Sequence, residues 1–130
     1  MSRLMKSSFY QQYKDEAVLM KKVKEWLEPQ KRDGIKMIRI CDRYTKGYSD
    51  IFICVRGQFV VAELKDDTGV ASQQQLDFIK EMVAAGAIGG VCRSVADVAY
   101  LVEQAKERVN ARRLKYADKE TLRSGLQSAT

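Results

Sequence analysis

Two short apolar runs separated by only two residues constrain the fold of this chain more than any other feature. The runs span residues 50–55 and 58–64, and Arg56 and Gly57 lie between them. A two-residue connection that ends in glycine is typical of a tight β-hairpin. The first run is apolar at nearly every position, which favours a strand covered on both faces. The sequence therefore predicts a hairpin inside a sheet that packs on both sides.

Helical and strand patterns flank this hairpin. Apolar residues spaced three to four apart predict helices, and shorter apolar runs bounded by turn residues predict strands. The predicted elements are a helix over 14–27, a strand over 35–41, the two hairpin strands, a helix from Ser72 to near Gly86, a buried strand over 87–92 and a helix from Ser94 to about Arg113. A hairpin followed by a strand–helix–strand crossover gives the order αβββαβα. This order predicts an α/β fold with a central mixed sheet flanked by helices on both faces.

The length of 130 residues allows one domain with a substantial core. We expect residues 1–13 to form an N-terminal arm, residues 14–113 the folded domain, and residues 114–130 a basic, flexible C-terminal tail. No segment approaches the ~20 apolar residues that span a bilayer, so no membrane association is expected. The three cysteines form no C-x-x-C pair, which favours reduced thiols in a cytoplasmic protein.

Composition narrows the possible chemistry. The chain has no histidine, which excludes catalytic triads and nucleases that depend on histidine, as well as zinc sites built on it. A metal site would have to use oxygen ligands, which suits Mg²⁺ or Mn²⁺. The formal net charge of +6 favours an anionic partner without identifying it.

Two carboxylates and a lysine are placed by the predicted hairpin. Asp50 begins the first strand, and Glu63 and Lys65 lie two residues apart at the end of the second. Because side chains alternate along a strand, Glu63 and Lys65 point to one face while Leu64 points into the core. Paired carboxylates beside an ammonium suit a divalent-metal site for phosphodiester hydrolysis. An isolated Glu-x-Lys, by contrast, is usually a solvated surface pair.

Three segments at this spacing resemble the VRR-NUC family of the PD-(D/E)XK nuclease superfamily, and within it the small stand-alone members found in phages. Residues 47–51 resemble its G-x-P-D motif, residues 57–65 its G-x-hydrophobic-E-x-K strand, and residues 69–78 the helix that follows. Ser49 stands where the family usually has proline. The resemblance implies a restriction-endonuclease-like fold and a metal-dependent DNA endonuclease that acts on branched or otherwise structured DNA.

The resemblance also implies roles for individual residues. Asp50 and Glu63 would supply carboxylate oxygens to Mg²⁺ or Mn²⁺, with the Leu64 carbonyl as a third protein ligand. Lys65 would hold the attacking water or stabilise the scissile phosphate, and Gln75 would orient Lys65 or the water. The predicted catalytic residues are therefore Asp50, Glu63, Lys65 and Gln75, and Glu16 matches an acidic position that often assists metal binding.

Basic and aromatic residues near the predicted strand ends are candidates for contacts with DNA. They are Arg43, Tyr44, Lys46, Tyr48, Arg56 and Arg93. Each could equally be an ordinary exposed loop residue. Because one active site cuts one strand, symmetric cleavage predicts a homodimer, and the resemblance to phage proteins implies the host cytoplasm.

Two other functions remain open at this point. The chain could be a nucleic-acid-binding or regulatory protein with little catalysis on a nuclease scaffold, because a fold does not fix a function. It could also modulate a host enzyme through its N-terminal arm or basic tail. The presence of the complete residue set favours catalysis over the first of these.

Overall fold

A computed structural model describes residues 8–40 and 50–128 of the chain. Its regular elements are, in chain order, α1 (Glu16–Leu27), a 3₁₀ helix (Glu28–Asp33), β1 (Ile35–Arg39), β2 (Ile51–Val55), β3 (Gln58–Leu64), α2 (Gln73–Ala84), β4 (Ile88–Cys92) and α3 (Val95–Ser128). The strands form one sheet in the order β1-β2-β3-β4. Strands β1, β2 and β3 pair antiparallel, whereas β4 joins β3 in parallel. The predicted mixed sheet and the αβββαβα order are confirmed.

The hairpin that joins β2 to β3 turns at the two predicted residues. Arg56 and Gly57 have φ values of 50° and 93°. Two successive positive φ values are the requirement of a type I′ turn, whose twist matches that of the flanking strands. This turn sets the register in which Ile51 lies opposite Ala62 and Val55 lies opposite Gln58.

The two faces of the sheet are covered by different helices. On one face, β3 contributes Val60, Ala62 and Leu64 to a continuous core that also includes buried side chains of α1 and α3. On the other face, Val61 lies beneath α2, close to the buried Ile79. Glu63 and Lys65 follow Val61 at two-residue intervals and so project toward the α2 side of the sheet. Strand β3 is therefore buried on both sides near its C-terminal end.

Asp15 caps the start of helix α1, and Pro29 and Gly34 lie in the segment that follows its end. Asp15 is its N-cap, and its Oδ1 accepts a hydrogen bond of 2.9 Å from the Ala17 amide. Pro29 lies at the start of the 3₁₀ helix, which ends at Gly34 in the left-handed region with φ of 77°. Glycine adopts this conformation without steric cost, so the chain turns sharply into β1.

Helix α3 is longer than the sequence pattern predicts. The helix was expected to end near Arg113, but its backbone continues through Ser128, so that boundary was wrong. Residues 114–124 contain neither proline nor glycine and are rich in residues that favour helix, although the side chains of residues 111–117 are exposed. The apolar stripe ends at Val109, and the periodicity that predicted the helix ends there too. Among the described helices, none is both long enough and apolar enough to cross a bilayer.

Two neighbouring glycines in β4 provide a test of the packing between the sheet and α2. A Cβ atom at position 89 would lie 2.5 Å from Val61 Cγ2 and 3.3 Å from the Val61 carbonyl oxygen. We expect Gly89→Ala to lower the free energy of unfolding by about 1–3 kcal/mol, because overpacking must displace backbone or side chains. Urea denaturation at constant pH measures this change.

Gly90→Ala is the matched control for that experiment. A Cβ atom at position 90 would lie 3.7 Å from Leu101 Cδ2, which is an ordinary van der Waals contact. We expect its free energy of unfolding to stay within about 0.5 kcal/mol of the parent value. Equal costs for the two substitutions would contradict the packing described for Gly89.

Candidate active site

Asp50 is held at the entrance to β2 by hydrogen bonds on both sides. Its backbone carbonyl accepts a hydrogen bond of 2.8 Å from the Ile40 amide, and its Oδ2 accepts one of 2.7 Å from the Leu64 amide. Extending the hairpin register by one residue places Asp50 across from Glu63. The hairpin therefore brings together two carboxylates that are 13 positions apart in the sequence.

Glu63 is unusual because it is an ionisable residue whose side chain is completely buried. Its exposed fraction is 0%. One carboxylate oxygen, Oε1, accepts hydrogen bonds from Gln75 Nε2 at 2.7 Å and from Lys65 Nζ at 3.2 Å. The other oxygen, Oε2, is buried and has no hydrogen-bond partner among the described residues. Buried polar atoms without partners are rare in folded proteins and require an explanation.

The electrostatics of the site oppose a charged Glu63. Burial and, to a smaller extent, the neighbouring Asp50 carboxylate raise the pKa of Glu63 from its ordinary value of 4.5 to about 7. The Lys65 ammonium lowers the pKa and offsets only part of the effect. Among residues 8–40 and 50–128, the site therefore holds more negative charge than Lys65 neutralises, which is the condition that a proton or a cation relieves.

Lys65 lies next to this charge and follows directly after β3. Its side chain is 15% exposed, so the ammonium is partly withdrawn from water. The Lys65 amide donates a hydrogen bond of 3.0 Å to the Cys92 carbonyl at the end of β4. The lysine backbone is thereby held at the C-terminal edge of the parallel strand pair.

Gln75 reaches Glu63 from the first turn of α2. Ser72 is the N-cap of this helix and forms a capping box with Gln75. In this box the Ser72 hydroxyl accepts from the Gln75 amide at 3.1 Å, and Gln75 Oε1 accepts from the Ser72 amide at 2.9 Å. The side-chain amide thus has one end in the helix cap and the other on Glu63. Ser72 was predicted only as a helix start, although a serine three residues before a glutamine is the pattern of a capping box.

Glu16 lies in the first turn of α1, near the carboxylate pair. Partial burial raises the pKa of Glu16, and the Asp50 carboxylate adds to this effect while Lys65 opposes it. The start of α1 is tied to the site because the Tyr13 carbonyl accepts a hydrogen bond of 2.7 Å from the Asp67 amide. Helix α1 is thereby fixed beside the loop that follows Lys65.

The atoms that could bind a metal at this site fit a hard divalent cation. All are oxygens, one of them is buried with no partner in the part of the chain that the structure describes, and the local charge is negative, which suits Mg²⁺ or Mn²⁺. Over residues 8–40 and 50–128, however, no three acidic or cysteine side chains come together as a ready-made metal cluster. Glu16 is therefore coupled electrostatically to the pair without completing a cluster of three carboxylates.

The predicted DNA-contact residues fall into three groups. Arg43, Tyr44, Lys46 and Tyr48 lie outside the described residues. Arg56 lies at the hairpin turn, about 20 Å from Asp50 along β2, and its Nε donates to the Asp33 carbonyl at 2.8 Å. The structure therefore does not bring Arg56 to the carboxylate pair.

Arg93 lies at the same edge of the sheet as Lys65. It follows β4 directly, and its Nη1 donates a hydrogen bond of 2.7 Å to the Asp66 carbonyl. Asp66 Oδ1 in turn accepts from the Thr68 amide at 3.1 Å. One visible role of Arg93 is thus to hold the loop between Lys65 and α2, and the residue as a whole is only partly exposed.

The raised pKa of Glu63 predicts that the stability of the metal-free protein depends on pH. Because the folded protein binds this proton more tightly than the unfolded chain does, stability falls as the pH rises from about 4.5 to about 7. The loss attributable to Glu63 is roughly 3 kcal/mol. Denaturation in the presence of a chelator at pH values from 4.5 to 8 measures it.

Two substitutions test whether Glu63 causes this pH dependence of stability. Glu63→Gln should flatten this part of the pH dependence, because a neutral amide gains no charge. Glu81→Gln, at an exposed position of α2, should leave the dependence unchanged. An identical slope in the parent and Glu63→Gln would show that another group causes it.

Comparison with known proteins bears on the fold. No protein-family model matches the sequence, and no curated protein matches it. A solved structure described as a VRR_NUC domain is similar to this chain, with a TM-score of 0.55 and 24% sequence identity. The similarity covers 68% of this chain and 94% of that one. This protein therefore has the fold of that VRR_NUC domain.

Proposed function

We propose that this protein is a divalent-metal-dependent nuclease of the VRR-NUC family that hydrolyses phosphodiester bonds in DNA. One observation carries the proposal: the completely buried carboxylate of Glu63 has one oxygen with no partner among the described residues, beside a second carboxylate. A protein selected only for stability gains nothing from such an arrangement, because an unsatisfied buried charge is costly. The family assignment is supported by the shared fold and by the motif residues that the fold brings together.

The cation is proposed to be Mg²⁺ or Mn²⁺. Asp50 and Glu63 would hold it through carboxylate oxygens, and the Leu64 carbonyl would be a third protein ligand. When bound, a divalent cation lowers the pKa of water and offsets the negative charge that develops on phosphate oxygens. Glu16 is proposed to favour cation binding through its charge, since it is electrostatically coupled to Asp50.

Lys65 and Gln75 have separate roles in this proposal. Lys65 can donate a hydrogen bond to an attacking water or to a phosphate oxygen, because its ammonium lies 3.2 Å from Glu63 Oε1 and is partly exposed. A cation on Glu63 would weaken that ion pair and free the ammonium for substrate. Gln75 donates to the same Glu63 oxygen and keeps the carboxylate in place while the lysine acts.

DNA is the proposed substrate, and its shape rather than its sequence is the proposed determinant of recognition. The net charge of +6 favours a polyanion. A small domain offers few elements that can read base edges, so branched or otherwise structured DNA suits it better than a defined sequence. Because one site cuts one strand, we also propose a homodimer, which light scattering at several concentrations tests directly.

A DNA-binding scaffold without catalysis is the alternative. The complete set of Asp50, Glu63, Lys65 and Gln75 disfavours it, since such a scaffold has no use for a buried carboxylate tied to a lysine and a glutamine. The two functions differ in what the removal of a single charge does to cleavage and to binding.

Cleavage of end-labelled DNA tests the proposal. The substrates are a four-way junction, a flap, a single strand, a duplex and a supercoiled plasmid, each with Mg²⁺, Mn²⁺ or chelator. We expect cleavage that requires metal, and we expect Lys65→Ala to lower kcat by roughly 10²-fold or more, because a positioned charge at the reacting phosphate is lost. Asp50→Asn should abolish cleavage while DNA binding largely survives.

Lys80→Ala is the matched control for loss of one positive charge. Lys80 is an exposed residue of α2, and its removal should leave kcat within about twofold of the parent value. Tight DNA binding without cleavage under any metal would contradict the nuclease proposal and leave a binding scaffold. Neither binding nor cleavage would point to a protein partner.

A further inference from the structure

The side-chain amide of Gln75 is held at both of its ends. Its Oε1 accepts from the Ser72 backbone N–H at 2.9 Å, and its Nε2 donates to Glu63 Oε1 at 2.7 Å. An amide has one accepting end and one donating end, so these two bonds together permit a single orientation. In the flipped orientation, an NH₂ group would face the Ser72 N–H and a carbonyl oxygen would face the Glu63 carboxylate.

This orientation decides how the lone pairs of Glu63 are used. Oε1 receives donors from both Gln75 and Lys65, whereas Oε2, buried in a side chain with 0% exposure, receives none from the described residues. A donor delivered to Oε1 pulls the carboxylate toward α2 and leaves Oε2 as the oxygen with free lone pairs. Residues other than Glu63 therefore determine which of its two carboxylate oxygens is left to bind a cation.

We infer that the backbone N–H of Ser72 is a positioning group for the cation site: it sets the Gln75 amide, which in turn leaves Glu63 Oε2 free to bind a divalent cation. The inference rests on the proposed function for the identity of the ligand. The hydroxyl of Ser72 is not part of it, because that group accepts from the Gln75 backbone and stabilises only the helix start.

Two substitutions at one position separate the N–H from the hydroxyl. Ser72→Ala removes the hydroxyl and keeps the N–H, whereas Ser72→Pro removes both. Ser72 has φ of −67° and ψ of 161°, which a proline ring adopts without strain, and residue 71 lies outside the helix. Both variants lose the same helix cap, so the loss of the cap does not contribute to a difference between them.

The first measurement needs no metal and no substrate. The side-chain NH₂ signals of Gln75 in ¹H–¹⁵N spectra, assigned by their absence in Gln75→Ala, report the hydrogen bond to Glu63. We expect them to keep the parent chemical shifts in Ser72→Ala and to move in Ser72→Pro. Unchanged signals in Ser72→Pro would overturn the inference.

The second measurement is titration of Mn²⁺ and of Mg²⁺ by calorimetry. We expect Ser72→Ala to stay within about twofold of the parent Kd and Ser72→Pro to bind about tenfold more weakly, because a group that orients a ligand typically changes metal affinity by about 10- to 100-fold. Equal weakening in the two variants would assign the effect to the helix cap and overturn the inference. Failure of the parent to bind either cation would refute the proposed function, and the NH₂ signals would still test the orientation of Gln75.

An ester analogue covers the case in which Ser72→Pro does not fold. Lactic acid at position 72 gives the same side chain as Ser72→Ala and replaces only the N–H with an oxygen. Compared with Ser72→Ala, this analogue should show the same tenfold loss of affinity and the same movement of the Gln75 signals. Agreement of the ester analogue with Ser72→Ala in both measurements would overturn the inference.

Discussion

The cost of burying the Glu63 carboxylate is the constraint on which the rest of the site depends. A carboxylate removed from water must be paired, hydrogen-bonded or protonated. Lys65 and Gln75 both donate to Oε1, so the interactions that stabilise the buried charge reach only one of the two carboxylate oxygens. The neighbouring Asp50 makes the remaining deficit larger, because like charges close together oppose ionisation. The fold therefore maintains an excess of negative charge at the ends of two neighbouring strands in an otherwise well-packed sheet.

The hairpin register is what makes this imbalance reproducible. The type I′ turn at Arg56 and Gly57 fixes the pairing of β2 with β3, and this pairing sets Asp50 across from Glu63. A slip of one residue would send every side chain of β3 to the opposite face. Leu64 would then leave the core and Glu63 would enter it on the side of α1 and α3. The apolar residues on both faces of β3 thus protect the geometry of the site as well as the stability of the sheet.

The parts of this structure that the sequence predicted are those encoded by neighbouring residues. The hairpin, the start of α2 at Ser72 and the strand β4 each have a local signal, namely a turn dipeptide, a serine before a helical pattern or an apolar run. The resemblance to a nuclease family predicted that Gln75 orients Lys65 or the water, whereas its hydrogen bond to Glu63 was not predicted.

The features that the sequence did not predict depend on distances in the folded structure or lie beyond the end of an apolar pattern. Arg56 is close to Asp50 in the chain, but an extended strand separates them by about 20 Å, so sequence proximity was misleading. Helix α3 continues where its apolar stripe stops, because helix propensity persists after core contacts end. The Glu63 oxygen that has no partner among the described residues has no signal in the sequence.

The compact spacing of the site along the chain has a consequence for how the protein folds. The residues from Asp50 to Gln75 form one hairpin, one short loop and one helical turn, and they contain both carboxylates, the lysine and the glutamine. Closing short loops costs little chain entropy, and contacts between residues close in sequence form rapidly. The parallel pairing of β4 with β3 needs a longer crossover. The geometry of the site is therefore specified by contacts that can form before the sheet is complete, so assembly of the site does not have to wait for the slowest step of folding.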